Sequence, residues 1–298
     1  MKPVSSGSSS AACPAMADST TAGGGVPPSS DPLFTFGLPD AHGLLHAVRS
    51  SQFVAVNTVY SSMAGQISVY VDTGEDCFNA FATAHQGIAL SNGEQIAVPA
   101  VVFNRGLFAW SRLLAAFVAS SIHDAGRIGG RGVVASRLRM VGDAMCGRRP
   151  GDAEALWNLA IAGLKAQGVR ADAEQLAFGV EVSVMAHEVG HLCLAHTASM
   201  QGCSDEVSRN QEREADSFAA SVLSSLAGGE ATFLGHVLCP LMFAWQDFSI
   251  RNRQPTSHPL GRERFQSALR SRSEHLAAVS HRYGLGEAEL LALLPSVH

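Results

Sequence analysis

The chain has 298 residues, 46% of them hydrophobic, and a formal net charge of −5. That is enough apolar material for one sizeable core, and the mildly acidic balance gives no general case for nucleic-acid binding. The six cysteines, at 13, 77, 146, 193, 203 and 239, form no CxxC pair and no small-scaffold spacing, so reduced thiols in a cytoplasmic setting are the simplest account.

Residues 1–32 are dominated by Ser, Gly, Ala and Pro and are expected to be disordered. No apolar core follows Lys2, as a signal peptide would need. A single domain is expected over 33–298, opening with a short helix from about Asp40. The stretch 53–74, "FVAVNTVYSSMAGQISVYVDTG", alternates and is rich in Val and Tyr, which predicts two strands. Further strands are predicted at 77–84 and 86–90, giving a small antiparallel sheet ahead of an otherwise helical chain.

Two apolar runs follow, "LFAWSRLLAAFVASSI" and "FLGHVLCPLMFAWQDF". They carry Arg112, and His236 with Pro240 and Asp247, and neither reaches about 18 uninterrupted apolar residues. Core helices are predicted, and no membrane span. Residues 105–178 read as a helical and loop insertion of unknown role. Within it, 123–152 concentrates arginines among glycines, which predicts a solvated loop with a short helix, or more sharply a lid or an exosite for an acidic partner.

"MAHEVGHLCLAH", residues 185–196, holds the chemistry. On a helix each residue advances about 100°, so His187 and His191 return to one face within about 40° and can reach one metal ion. Glu188 sits beside them without being a ligand, as the general base of a metal-assisted hydrolase must. His196 falls on the opposite face if the helix continues. A metzincin pattern would need glycine and histidine where Leu194 and Thr197 stand, so the third ligand has to come from elsewhere. "SRNQEREADSFAASVL", residues 208–223, can supply it from a second helix. Glu212 could complete the zinc sphere, while Asp216, one turn on, accepts the free ring N–H of a ligand histidine. Glu214 points about 200° away from Glu212 and reads as a solvated charge.

These residues together resemble a known family. His187-Glu188-x-x-His191, His196 and Glu212-x-x-Ala215-Asp216 look like the gluzincin endopeptidases of the CAAX-processing and HtpX-like family. "CFNAFATAHQGIAL", residues 77–90, resembles that family's cleft-edge strand, which implies that Asn79, Ala80 and Phe81 pair with substrate backbone. "TSHPLGRERFQSAL", residues 256–269, resembles its late segment, with His258 and Arg264 at the matching places.

The resemblance implies an α+β, mainly helical zincin-like fold in which the HExxH helix packs on the ExxAD helix. It implies a Zn2+ cofactor, held by His187, His191 and Glu212, and a protein or peptide substrate. Glu188 is then the general base, with His258 or Arg264 stabilising the oxyanion. Familiar members are membrane-embedded or secreted, whereas this chain reads as a soluble one. Neighbouring expectations are a dedicated peptidase of the phage-exclusion or ImmA/IrrE-like kind, or a latent or non-catalytic zinc-binding module. The sequence carries no indication of oligomeric state.

Overall fold

A computed structural model describes residues 40–74, 78–128, 133–145, 152–165, 168–198, 204–226, 229–249, 261–271 and 273–294. The chain opens with α1 (Ala41–Ser50), α2 (Gln52–Ala55) and α3 (Thr58–Gln66). As expected, Asp40 starts α1: its Oδ1 accepts from the Gly43 N–H at 2.8 Å, satisfying an otherwise orphaned donor. The stretch 53–66 departs from expectation, being helical where strands were predicted. Ser51 and Asn57 cap α2 and α3 through their side chains. The valines behind the apparent alternation, Val56 and Val59, are 73% and 66% exposed. Their spacing was therefore never a burial signal.

Three strands follow or interleave: β1 (Ser68–Asp72), β2 (Ala80–Thr83) and β3 (Ala100–Asn104). The order is β1-β3-β2, with β1 parallel and β2 antiparallel to β3. The sheet is thus mixed rather than antiparallel, because α2 and α3 stand where a hairpin strand was predicted. Residues 86–90 contribute only an isolated bridge, Ala89 to Gln95. The strand absent from the sequence reading, β3, is the central one. All five of its residues are buried. Val101 and Phe103 join the main core, and Ala100 and Val102 a small cluster with Leu90 and Ile96.

The remainder is helical: α4 (Arg105–Ile128), α5 (Val133–Met145), α6 (Asp152–Leu164), α7 (Val169–Cys193), α8 (Asp205–Ser225), α9 (Glu230–Ser249), α10 (Gly261–Ser271), α11 (Leu276–Tyr283) and α12 (Glu287–Leu291). The two apolar runs are core helices, α4 and α9. Among the described residues no helix is long and apolar enough to cross a membrane. Of the arginine-glycine stretch 123–152, residues 129–132 and 146–151 lie outside the described residues, and the described part is helical. Within it α5 buries Val134, Ala135, Leu138 and Val141, and Arg137 bonds Asp124 of α4 at 2.7 Å.

At the centre stands α7, buried on almost every residue from Leu176 to Leu192 and packed against α4, α8, α9 and α1. A helix apolar all round has to be enclosed in this way. Its one buried charge in the first half, Glu181, accepts from Arg112 Nε at 3.1 Å and Ser111 Oγ at 2.8 Å, tying α4 to α7. Burial raises the Glu181 pKa, and Arg112 pulls against that shift. On the opposite side α7 meets α9 backbone to backbone. A Cβ on Gly179 would stand 2.5 Å from the Thr232 carbonyl oxygen, and one on Gly235 2.8 Å from the Gly179 Cα.

Candidate metal centre

The second half of α7 faces α8, and there the two histidines and Glu212 converge. His187 Nε2 and His191 Nε2 are 3.1 Å apart. Glu212 brings Oε2 to 3.3 Å from the first and Oε1 to 3.6 Å from the second. All three residues are buried, and they are the one such group among the described residues that could hold a metal ion. With donors about 2.0–2.1 Å from a tetrahedral zinc, neighbouring donors stand roughly 3.3 Å apart. The observed separations bracket that value, so the group fits such an ion.

The proton inventory points the same way. His187 Nδ1 lies 2.9 Å from Asp216 Oδ1, so the ring donates outward and a neutral His187 turns its Nε2 lone pair inward. That lone pair then faces the Glu212 carboxylate and a second imidazole, an arrangement that a cation between them would favour. Without a metal the cation is a proton. Burial and the Arg264 guanidinium oppose protonation of His187, but its bonds to Asp216 and Glu212 prevail and raise its pKa to about 10. Burial, and then the charge on His187, lower that of His191 to about 3. One positive charge therefore sits in the cluster at neutral pH.

Behind His187 stands a partly buried ion pair. Arg264 of α10 donates from Nε and Nη2 to Asp216 at 3.0 and 2.7 Å, with Nη2 3.3 Å from His187 Nδ1 and Nη1 3.9 Å from Glu212 Oε2. Asp216 Oδ1 accepts from both His187 and Arg264. Burial works against the Asp216 anion, but Arg264 and His187 outweigh it and hold the carboxyl well below the usual range. The guanidinium also stacks 5.3 Å over Phe243 of α9, which fixes its plane.

Glu188, next to His187, is buried on the same helix. Cys239 of α9 feels the charges of Arg264, Asp216 and Glu188, but burial dominates and pushes its thiol up to about 12. Asn79 and β2, which carries Ala80 and Phe81, lie at the outer edge of the sheet, and β2 packs against α7. His258 falls outside the described residues.

Two residues stand otherwise than the sequence suggested. Helix α7 stops at Cys193, Ala195 takes a left-handed conformation with φ of 58°, and the 3-10 turn His196–Ala198 doubles back. His196 is consequently not on the opposite face. Its Nδ1 lies 3.1 Å from His191 Nδ1. Glu214, although its side chain is 64% exposed, bonds His196 Nε2 at 2.9 Å. Sequence reasoning also passed over His85, whose Nε2 lies 3.1 Å from the Thr197 carbonyl oxygen. No spacing rule links it to that turn.

Comparison with known proteins finds a family likeness over part of the chain. The model of the family described as Peptidase U49 matches residues 161–283, less than half of the 298. No curated protein and no solved structure matches the chain. The matched segment runs from α6 to the end of α11 and contains His187, Glu188, His191, Glu212, Asp216 and Arg264. Over the stretch that builds the metal centre, the chain is therefore similar to a family of peptidases.

Proposed function

We propose that the protein is a zinc-dependent endopeptidase of gluzincin type, with His187, His191 and Glu212 as ligands and Glu188 as general base. The observation that carries this reading is the convergence of three buried donors at ligand spacing, inside a segment similar to a peptidase family. A bound zinc ion would polarise the scissile carbonyl and make water a competent nucleophile near neutral pH. Glu188 takes a proton from the attacking water on its carboxylate and delivers it to the leaving amine nitrogen. Asp216 holds the Nδ1 proton of His187 and so keeps the Nε2 lone pair aimed inward.

Arg264 was one of two sequence candidates for oxyanion donor. Its Nε and Nη2 are spent on Asp216, which favours a positioning role and leaves His258 as the proposed oxyanion donor. An extended peptide would lie along the outer edge of β2, with Asn79, Ala80 and Phe81 facing it. The unpaired thiols of Cys193 and Cys239 suit a reducing, cytoplasmic setting.

The test is metal analysis together with hydrolysis of casein, for the wild type and Glu188→Gln. One zinc per chain is expected in both proteins, and hydrolysis in the wild type alone. Zinc lost from Glu188→Gln would make Glu188 a ligand and overturn its role as base. Zinc with no hydrolysis of casein by the wild type would select the dedicated-peptidase form of the proposal, one specific protein target.

A further inference from the structure

We propose that His196 is a positioning residue of the metal centre, the middle of a hydrogen-bonded chain running from Glu214 through His196 to His191. The inference rests on the metal-centre reading above and deepens it by assigning the support of the second histidine ligand.

The directions of the hydrogen bonds follow from the geometry. His191 turns Nε2 inward, 3.1 Å from His187 Nε2 and 3.6 Å from Glu212 Oε1, so a ligating His191 carries its proton on Nδ1. That nitrogen lies 3.1 Å from His196 Nδ1. His196 Nδ1 has to accept, and a neutral His196 then carries its proton on Nε2. Nε2 lies 2.9 Å from the Glu214 carboxylate, which accepts. With His196 neutral, every donor in this chain meets an acceptor when His191 is in the tautomer that exposes Nε2 to the metal. The ring nitrogens of a ligand histidine are fixed by the bond the outer one makes, and this chain fixes them for His191.

The backbone is shaped to deliver His196. Five residues past His191 on a continuing helix its side chain could not reach back to that ring. The chain instead leaves α7 at Cys193 and passes through Ala195 at φ 58°, the one non-glycine residue with positive φ among those described. Such a conformation costs an alanine roughly 1 kcal/mol or more. The turn is then clamped from the sheet side, where His85 Nε2 meets the Thr197 carbonyl. The imidazole of His196 is buried and crosses that of His191 at 71°, with centroids 5.2 Å apart.

A merely structural His196 would pack the turn and leave metal binding alone. The experiment measures zinc dissociation constants by competition with a chromogenic chelator, and melting of the metal-free protein, for the full chain and four variants. His196→Leu is expected to weaken zinc binding by about 10- to 100-fold, the usual scale for an outer partner of a ligand. His196→Asn, whose amide oxygen can stand near the lost Nδ1, is expected to recover most of that loss. Glu214→Ala is expected to weaken binding by a smaller factor without changing the melting temperature.

Wild-type affinity in His196→Leu, or Asn no better than Leu, would overturn the proposal. Should His196→Leu fail to fold, Glu214→Ala decides, since its side chain is largely exposed, and unchanged affinity there refutes the chain. The fourth variant, His191→Ala, separates the two levels. If it binds zinc like the wild type, the metal-centre reading itself has failed; if it loses zinc while the others do not, only the supporting chain has.

Discussion

His187 and His191 stand one helical turn apart and present the same nitrogen inward, yet different things back them. Behind His187 is the Asp216 carboxylate, itself held by two bonds from a largely buried guanidinium. Behind His191 is the imidazole of His196, and behind that a carboxylate mostly in water. The first support is welded into the packing of α7, α8 and α10; the second hangs on a turn at the end of α7. Similar orientation of the two ligands can thus be obtained with very different stakes for folding. A buried charge left without its partner is expensive, whereas an exposed one simply rehydrates.

Removing a ligand common to both arms gives the largest effect. Glu212→Ala should abolish stoichiometric zinc, read by metal analysis, while the exposed neighbour Glu214→Ala keeps it. Equal loss in both would place the third ligand wrongly. Next comes the chemistry itself: Glu188→Gln should keep zinc and lower turnover by about 10² to 10⁴, the scale of a lost general base.

The two arms then part in stability. Asp216→Ala strands Arg264 and should cost about 3 kcal/mol in denaturant unfolding, whereas Glu214→Ala should stay within about 0.5 kcal/mol. Similar costs for the two would erase the distinction between welded and hanging support.

Proton release sharpens the same contrast at smaller scale. His187, raised to about 10 in the metal-free site, is protonated at pH 7 and must shed one proton to present Nε2, whereas His191, lowered to about 3, sheds none. Zinc affinity should therefore rise about tenfold per pH unit between pH 6 and 9. Calorimetry in buffers of different ionisation enthalpy should count close to one proton released. Two protons, or none, would contradict the assignment.

The convergence of His187, His191 and Glu212 was legible in sequence because a helix converts spacing into direction: four residues bring His187 and His191 together, and four carry Glu212 to Asp216. What was illegible depended on where helices stop. His196 was placed on the far face because nothing in "HLCLAH" marks the left-handed turn at Ala195, a position more often filled by Gly or Asn. Glu214 faces solvent as expected, but its bond to His196 was out of sight for the same reason. Strand β3 was missed because a segment buried on both faces shows no alternation, and it runs directly into the apolar start of α4. Residues 53–66 erred the other way: β-branched side chains that face water imitated a strand.

The contact between Gly179 and Gly235 has a mechanical consequence. Because main chain touches main chain there, sliding α7 against α9 by one turn would bring the side chain of Leu176 or Ser183, which share the face of Gly179, to the place where only a glycine fits. The two helices are keyed like a tenon in its mortise, and along their shared axis they respond to load as a single beam. Two turns further along that beam stand the nitrogens of the candidate metal centre, whose spacing a ligand set would need to keep to within a few tenths of an ångström. An alanine at either glycine would shim the joint apart, and the misalignment would surface at His187 although no ligand had been changed.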